Sequence, residues 1–399
     1  MYDVAVIGCG IVGAAAAYEL SRYNCRVLVL EAKNDVANVT TKANSAILHA
    51  GYDPAPGSLM AKTNVRGVKL AKELCEKLDV ERDEIGSLVL AFNEEDERHL
   101  EMLYRQGLEN GVPGVELLTA DEVHALEPNV SEKVTAALYA PSAAIVSPWE
   151  FALALAETAV VNGCEVQLSA PVTGIDRIDG GYRLHTPKGD FEARYIINAA
   201  GLHCDKVHEM VGGTGFTVHG VRGEYYIMDK SQGNVVSHVI FQCPNEKGKG
   251  VLVAPTVHGN LIVGPSADAV DDVESVANTA FGLEVRTAAA KSIPDLNYRE
   301  SIRNFSGVRC YTQQEDFIIE ESRQAPGFIN LAGIRSPGLS AAPAIAEMAV
   351  ELLRGCGLQT EAKKDFIDTR RRTVFHRLSA KEKAALIKKN PLYGRVICR

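Results

Sequence analysis

The sequence predicts an α/β protein with two domains, the second of which is of the α+β type. Residues 2–8 and 26–31 are short apolar runs, typical of strands buried on both faces, and the Ala-rich residues 11–23 between them suit a helix. This β-α-β order requires a crossover connection and therefore a parallel sheet. Between residues 217 and 320 the pattern changes to a series of β-rich segments, which favours an antiparallel sheet in a second domain.

The remaining elements follow from periodicity and from turn residues. Helices are predicted at 59–78, 94–111 and 148–162, and strands at 165–168, 172–178, 182–186, 191–193 and 195–199, with a hairpin turn at Gly180-Gly181. In the β-rich region strands are predicted at 223–229, 235–241, 251–255, 261–265 and 317–320, with a type I′ turn at residues 259 and 260. A buried strand at 328–332 and a helix at 340–353 then return to the first kind of element.

The first domain is therefore expected to be discontinuous. We assign to it residues 1–80, 146–216 and 321–360, and to the second domain residues 81–145 and 217–320. Residues 361–399 form a distinct tail that carries 12 Lys and Arg against 4 Asp and Glu. We predict that this basic tail is an appendage that contacts a membrane surface or a partner subunit.

Composition excludes several classes of protein. The 399 residues are 46% hydrophobic and 23% charged, which is ordinary for a globular protein and argues against disorder. The net charge of −9 argues against a nucleic-acid-binding protein. No apolar run approaches the ~20 residues that cross a bilayer, and the N-terminus lacks a secretory signal, so we expect a cytoplasmic location or a peripheral one at the inner face of the membrane. The nine cysteines include no Cys-x-x-Cys pair and are expected to be reduced thiols.

A glycine triplet follows the first predicted strand and opens the first predicted helix. Gly8 suits a tight turn, Gly10 lets the backbone approach a pyrophosphate, and Gly13 lets helix and strand pack closely. Glu31 ends the second strand, where a carboxylate can accept hydrogen bonds from ribose hydroxyls. The arrangement predicts a Rossmann-like dinucleotide site rather than an ordinary glycine turn, and it does not separate NAD from FAD.

Four segments in order carry a resemblance that separates the two cofactors. They are residues 8–31, 40–51 (Thr-Thr-Lys-Ala-Asn-Ser-Ala-Ile-Leu-His-Ala-Gly), 196–201 (Ile-Ile-Asn-Ala-Ala-Gly) and 330–343 (Asn-Leu-Ala-Gly-Ile-Arg-Ser-Pro-Gly-Leu-Ser-Ala-Ala-Pro). Together they resemble the FAD-dependent oxidoreductases of the D-amino-acid oxidase superfamily, closest to the branch of anaerobic glycerol-3-phosphate dehydrogenases and L-2-hydroxyglutarate oxidases. The resemblance covers about residues 1–355 and implies an FAD-binding domain of the glutathione-reductase-2 type with an antiparallel-sheet substrate domain.

The resemblance implies a set of cofactor-binding residues and non-covalent FAD. They are Gly8, Gly10, Ile11, Val12, Gly13, Glu31, Ala32, Thr40, Thr41, Lys42, Asn44, Ser45, His49, Val172, Ala199, Ala200, Gly201, Gly333, Arg335, Gly338, Leu339 and Ser340. The hydroxyl- and amide-rich residues 40–45 could run beside flavin and pyrophosphate, the alternative being a solvated turn. Residues 338–340 would open the last helix, whose N–H groups could face the flavin pyrimidine edge. No metal site is predicted.

Two residues are the candidates for catalysis. His49 resembles the histidine beside the flavin in the same branch, and an imidazole, with an ordinary pKa of about 6.5, could take the proton from a substrate hydroxyl. The alternative is a structural histidine packed against the flavin. Arg309, in Ser-Gly-Val-Arg, resembles the arginine that anchors the substrate in this superfamily, and its fork matches a carboxylate or phosphate. The alternative is a surface ion pair.

Four further residues are candidates for substrate binding. Tyr225 lies in the strand that resembles the wall of the substrate cavity. Lys249 could contact an anion or be a solvated loop charge, and His258 beside the predicted turn could be a second base or a turn residue. Arg335 stands where relatives usually carry another residue, so it could face an anionic substrate or form a surface pair.

The resemblance implies oxidation of the hydroxyl carbon of a small anionic substrate by hydride transfer to flavin, with sn-glycerol 3-phosphate to dihydroxyacetone phosphate first. The alternatives are oxidation of L-2-hydroxyglutarate or an amino acid, and a non-catalytic electron-transfer subunit. The electron acceptor could be oxygen, a quinone or a redox partner protein. Residues 389–399 resemble the entry to the C-terminal iron–sulfur domain of the same branch, but the single Cys398 cannot hold a cluster that takes about four cysteines, so we expect no cluster.

Overall fold

The computed structural model describes residues 1–244, 250–274 and 282–395. Its strands are β1 (Tyr2–Ile7), β2 (Val27–Leu30), β3 (Ile47–Leu48), β4 (Arg82–Asp83), β5 (Ser87–Ala91), β6 (Glu116–Thr119), β7 (Ala136–Ala140), β8 (Ala144–Val146), β9 (Glu165–Gln167), β10 (Gly174–Ile178), β11 (Gly181–Thr186), β12 (Gly189–Asn198), β13 (Val218–Met228), β14 (Val239–Gln242), β15 (Leu252–Pro255), β16 (Leu261–Gly264), β17 (Asp268–Val270), β18 (Ser301–Thr312), β19 (Ile318–Glu321) and β20 (Phe328–Ala332). Its α-helices are α1 (Ile11–Leu20), α2 (Leu59–Lys77), α3 (Glu94–Glu109), α4 (Ala120–Leu126), α5 (Pro148–Val161), α6 (Cys204–Glu209), α7 (Gly282–Ser292), α8 (Gly338–Gly355) and α9 (Ala380–Lys389).

The first sheet has a parallel centre, as the sequence predicts. β1 pairs in parallel with β2 and β12, β2 with β9, and β12 with β20. The strand β1 is a continuous apolar run because both of its faces are covered: Val4 and Val6 pack in the core that includes the alanines of α1, while Ala5 and Ile7 pack in a second core that includes Val207 of α6. β10, β11 and β12 form an antiparallel meander at one edge.

Two predictions about this sheet were wrong. The strands predicted at 191–193 and 195–199 are not separate, because one strand, β12, runs through both from Gly189 to Asn198. The sequence assigns the strand predicted at 317–320 to the second domain, whereas β19 pairs antiparallel with β20 in the first sheet. Strand pairing is set by segments far apart in the chain, so the local pattern of residues 317–320 could not reveal its partner.

The second sheet has nine strands in the described residues and is antiparallel except where β14 pairs in parallel with β5. Both faces of β5 are covered. Leu88 and Leu90 pack with residues of α4 and α7, and Val89 packs with residues of α3. At the far side of the sheet β13 and β18 form a long antiparallel pair. A small third sheet joins β3 and β4 to β8 and carries the chain toward His49.

The first part of the basic tail packs along the first domain. Main-chain hydrogen bonds join Glu361 to Asn24 and Lys363 to Arg22. Further along, the side chain of Asn162 bonds both the N–H and the C=O of Ile367. The last described part, which contains α9, buries none of the residues of that helix. None of the helices in the described ranges combines the length and the apolar character needed to cross a bilayer.

Candidate active site

A cavity of about 1410 Å³ lies between the two large sheets. Ile7 and Leu30, the last residues of β1 and β2, line one end, and Tyr225 of β13 and Arg309 of β18 line the other. The volume exceeds the ~300–1,000 Å³ of most small-molecule sites, which leaves room for a dinucleotide beside a small substrate. The carboxyl ends of parallel strands are where such ligands bind in open α/β sheets.

Most predicted site residues meet in this cavity. Those that line it are Gly8, Gly10, Ile11, Val12, Glu31, Ala32, Thr40, Thr41, Asn44, Ser45, His49, Val172, Ala199, Ala200, Gly201, Tyr225, Arg309, Gly333, Arg335, Gly338 and Leu339. The prediction for Lys249 falls outside the described residues. Gly13 and Ser340 do not line the cavity. Gly13 allows α1 to pack closely on β1, and Ser340 accepts a hydrogen bond from the main chain of His49.

Besides Gly13 and Ser340, two predicted residues do not line the cavity. Lys42 is exposed and its ammonium group bonds the side-chain oxygen of Asn38. His258 is on a surface loop, with its side chain 54% exposed and 4.0 Å from Glu81. That loop is not the predicted type I′ turn, which needs two positive φ angles, because of the two residues only Gly259 has one, at +80°. A hydrophilic residue in a motif does not by itself reveal which way its side chain points.

The glycine triplet closes the strand–helix turn as its spacing predicts. Gly8 has φ +97°, and a Cβ there would lie 2.5 Å from the carbonyl oxygen of Ala199. A Cβ on Gly13 would lie 1.9 Å from the carbonyl oxygen of Gly8, so α1 can approach β1 only with glycine here. The hydroxyl of Thr41 accepts a hydrogen bond of 2.9 Å from the N–H of Ile11 and so caps the start of α1. The N-terminus of α1 points into the cavity, where its partial positive charge favours a phosphate group.

Glu31 is held at the end of β2 by main-chain donors. One carboxylate oxygen accepts from the N–H of Cys9 at 2.7 Å and the other from the N–H of Lys33 at 2.8 Å. The side chain is buried but lines the cavity. Because each carboxylate oxygen has a second lone pair, the group can still accept a hydrogen bond from a ribose hydroxyl.

Replacing Glu31 by Lys is expected to lower the FAD content of the purified protein. The change removes the acceptor for the ribose and for the N–H of Cys9, and it places a cation in a pocket built around an anion. The measurement is the ratio of flavin to protein absorbance, with Glu109→Lys as a control that makes the same charge change on an exposed helix position. A normal flavin ratio in Glu31→Lys would reject the role assigned to this carboxylate.

Residues 40–45 form a rigid wall and not a solvated turn. The hydroxyl of Thr40 donates to the carbonyl of Val308 in β18 at 2.8 Å. The Asn44 side chain donates to the carbonyl of Thr41 at 2.7 Å and accepts from the N–H of Ala46 at 2.8 Å. A Cβ on Gly307 would lie 1.9 Å from the carbonyl oxygen of Ala43, which shows how closely β18 packs on this segment. The wall thus joins the two domains beside the cavity.

His49 lines the cavity and lies directly after β3. Its Nε2 is 3.2 Å from the hydroxyl of Ser336, and its ring stacks on Phe241 with 5.7 Å between ring centres. Its main-chain N–H donates to the hydroxyl of Ser340 at 2.7 Å, and its carbonyl accepts from the side chain of Asn64 at 2.9 Å. Sequence reasoning missed Ser336, Phe241 and Asn64. Ser336 lies inside the quoted segment 330–343, so its hydroxyl was an available signal; no local pattern marks the other two.

The substrate end is built by the paired strands β13 and β18. Alternate residues face the cavity, which brings Tyr225, opposite Phe305, to the same face as Arg309. The Tyr225 and Phe305 rings stack with 4.8 Å between centres, and the Tyr225 hydroxyl is 3.1 Å from that of Ser45. Burial raises the pKa of Tyr225, so its hydroxyl stays protonated and available as a donor.

The half-buried Arg309 has one main-chain partner and spare donors. Its Nη2 donates to the carbonyl of Ser266 at 2.8 Å, while its Nε is buried and has no hydrogen-bond partner in the described part of the chain. A buried donor without a partner is costly, so a ligand that accepts from it would bind favourably. Arg335 is less available, since it stacks over Tyr311 and donates to the carbonyl of Glu315.

Replacing Gly223 by Ala is expected to weaken substrate binding through Arg309. A Cβ at this position would lie 3.0 Å from Nη2 of Arg309 and 2.7 Å from Cβ of Pro265, so the guanidinium would be pushed aside. The Michaelis constant should rise severalfold while FAD stays bound. The control is Gly355→Ala, where the new Cβ would meet no atom within 4 Å. An unchanged constant in Gly223→Ala would show that the guanidinium tolerates displacement or does not bind the substrate.

The geometry agrees with what comparisons with known proteins show. Residues 3–352 match the family model described as "FAD dependent oxidoreductase". The chain therefore belongs to this family of FAD-dependent oxidoreductases, and it has the family's mixed α/β fold. The glycine turn, the N-terminus of α1 and Glu31 fit FAD.

Within this family the chain is similar to proteins named as glycerol 3-phosphate dehydrogenases and oxidases. The chain is 47% identical over its whole length to the glycerol 3-phosphate dehydrogenase of Caloramator mitchellensis, of which the match covers 84%. It is 34% identical to the glycerol 3-phosphate oxidase of Mycoplasma pneumoniae, over 88% of this chain and 94% of the relative. The dithionite-reduced L-alpha-glycerophosphate oxidase of Mycoplasma pneumoniae with FAD bound superposes with a TM-score of 0.89 at 32% identity, over 93% of this chain and 99% of that one.

Proposed function

We propose that this protein oxidises sn-glycerol 3-phosphate to dihydroxyacetone phosphate. The observation that carries the proposal is that one cavity holds an imidazole, His49, and a guanidinium, Arg309, beside a site that fits FAD; the buried Nε of Arg309 has no partner within residues 1–244, 250–274 and 282–395. An alcohol with an anionic end needs both groups: a base for its hydroxyl and a cation for its phosphate. The identity of 47% to a glycerol 3-phosphate dehydrogenase supports the same substrate.

In this proposal His49 is the base. The bound flavin supplies the chemistry of accepting a hydride from the substrate carbon. The imidazole takes the proton of the substrate hydroxyl as the carbonyl forms. The hydrogen of the C–H bond leaves separately, with both electrons of that bond, as a hydride. Ser336, within hydrogen-bond distance of Nε2, orients the ring and stacking on Phe241 limits its rotation.

Arg309 and Tyr225 bind the other end of the substrate. The guanidinium can give a phosphate group two parallel charge-assisted hydrogen bonds, which fixes both position and orientation. The protonated Tyr225 adds a neutral donor on the same face of the two strands. Arg335 lines the cavity and adds positive charge there. A direct hydrogen bond from Arg335 to the phosphate would be less favourable, because it would compete with the bond that Arg335 donates to the carbonyl of Glu315.

We also propose that FAD is held without a covalent bond. Cys310 lines the cavity, but it is buried, its Sγ bonds the carbonyl of Gly201, and burial raises the pKa of the thiol to about 11. A thiol that stays protonated is a poor nucleophile toward the flavin ring. Acid precipitation should release all the yellow colour into the supernatant, and colour retained in the pellet would contradict this.

Product analysis tests the substrate. The protein should form dihydroxyacetone phosphate from glycerol 3-phosphate, with oxygen, a quinone analogue and an artificial dye tested separately as acceptors. L-2-hydroxyglutarate, proline and glycine should react at least tenfold more slowly. Faster oxidation of L-2-hydroxyglutarate would overturn the assignment, and no oxidation of any of them would favour an electron-transfer subunit.

For the basic tail we propose peripheral contact with an anionic membrane from the cytoplasmic side. Support comes from α9, whose residues are all at least partly exposed, and from Leu392, which is 61% exposed beside it. Basic and apolar groups side by side suit the headgroup region of a bilayer. The lysines that would provide the charge are Lys381, Lys383, Lys388 and Lys389.

The tail proposal predicts sedimentation with vesicles. The protein should co-sediment with phosphatidylglycerol-containing vesicles at low salt and not with pure phosphatidylcholine, and replacing the four lysines by Gln should abolish binding with activity unchanged. If the protein co-sediments with neither kind of vesicle, a partner subunit would be the contact of the tail.

A further inference from the structure

The main chain of His49 is held from both sides by two side chains that have no contact with the cavity. The N–H of His49 donates to the hydroxyl of Ser340 at 2.7 Å, and its carbonyl accepts from Nδ2 of Asn64 at 2.9 Å. Ser340 and Asn64 are both fully buried. The peptide groups on either side of the catalytic candidate are therefore tied to two different helices, α8 and α2.

The two helices cross where these side chains stand. A Cβ on Gly67 of α2 would lie 2.3 Å from the carbonyl oxygen of Ser340, so the helices are in direct backbone contact there. Asn64 lies three residues before Gly67, on the same face of α2. The start of α2 is itself fixed, because the Asp316 carboxylate accepts from the N–H groups of Leu59 and Met60. The crossing leaves the two side chains little freedom to move.

The bonding of Asn64 indicates that its donor, and not its bulk, is what the site uses. Its Oδ1 is buried and has no hydrogen-bond partner among the described residues. An unsatisfied buried acceptor destabilises a fold, so an apolar residue would serve packing better at this position. The neighbouring Thr63 shows the ordinary arrangement, with its hydroxyl bonded to the carbonyl of Leu59 in its own helix.

We infer that Asn64 and Ser340 are positioning residues that hold the main chain of His49 so that its imidazole stays in reach of the substrate hydroxyl. The inference rests on the proposed role of His49 as the base. Proton transfer depends steeply on the distance between donor and acceptor, and a shift of about 1 Å in a supporting group can cost about 10²-fold in rate. The two bonds influence that distance through the main chain of His49, since neither side chain lines the cavity.

A double-mutant cycle on anaerobic flavin reduction tests this. Ser340→Ala and Asn64→Ala are each made alone and together with His49→Gln, and rates are compared at equal FAD occupancy and saturating glycerol 3-phosphate. In the protein with His49, each change should slow reduction by about 10- to 100-fold with the half-saturating substrate concentration unchanged. In the His49→Gln protein neither change should slow reduction further, because the positioned base is already absent.

The control is Thr63→Val, which removes a buried hydroxyl one position from Asn64. It should leave the rate of flavin reduction unchanged both in the protein with His49 and in the His49→Gln protein. Equal slowing in both backgrounds, normal rates in both single variants, or loss of FAD from both would overturn the inference and assign the two residues to packing. Failure of the base itself is distinguishable. His49→Gln would then reduce at the normal rate, whereas a slow His49→Gln beside normal Ser340→Ala and Asn64→Ala rejects the positioning role alone.

Discussion

Replacing His49 by Gln is expected to slow flavin reduction by glycerol 3-phosphate by about 10²–10⁴-fold, the range for loss of a general base. Glutamine keeps a polar side chain near Ser336 but cannot accept the proton of a hydroxyl. FAD should stay bound, because the glycine turn and Glu31, the groups proposed to hold its pyrophosphate and ribose, are unchanged. Stopped-flow absorbance under anaerobic conditions measures the rate directly.

The pH dependence separates a base from a packing residue. Only the neutral imidazole accepts a proton, so the wild-type rate should rise with pH and level off, and this limb should be absent in His49→Gln. If the histidine only packs against the flavin, the variant would have an altered flavin spectrum or lose FAD and would keep the pH dependence. A variant that reduces at nearly the wild-type rate would remove His49 from the mechanism.

Replacing Arg309 by Ala should raise the Michaelis constant for glycerol 3-phosphate by about 10- to 150-fold, which corresponds to a charge-assisted interaction of ~1.5–3 kcal/mol. The side chain lines the cavity and its buried Nε has no other partner in the described residues. Arg309→Lys should recover only part of the loss, since a lysine keeps the charge but not the fork.

The matched control for Arg309 is Arg303→Ala on the same strand, where the side chain is exposed and does not line the cavity. This variant should bind substrate normally. If Arg309→Ala left the constant unchanged with normal flavin content, the phosphate anchor would have to be another cation.

The cofactor end of the site could be predicted from the sequence because its determinants are local. The turn at Gly8 and the close approach at Gly13 depend on residues within one β-α-β unit, and the spacing to Glu31 is fixed by that unit's length. The glycines at residues 180 and 181 predict the hairpin between β10 and β11 for the same reason, although its register is shifted by one residue. The turn residues are Asp179 and Gly180, and Gly181 is the first residue of β11, opposite Ile178.

The surroundings of His49 depend on contacts that no local pattern records. Ser336 and Ser340 come from the last segment of the first domain, Asn64 from α2, and Phe241 from the second sheet. Each is an ordinary residue in its own element and becomes part of the site only through the packing of elements far apart in the chain. The misplaced β19 has the same origin, because its partner β20 is chosen by the tertiary fold.

Oxidation of sn-glycerol 3-phosphate is tested most simply by anaerobic titration of the FAD-loaded protein with this substrate, followed by the visible absorbance of oxidised flavin. If the protein oxidises this substrate, the flavin should bleach fully, with dihydroxyacetone phosphate formed in equal amount to the flavin reduced. Flavin that stays oxidised at high substrate concentration, in protein that dithionite reduces normally, would contradict this activity.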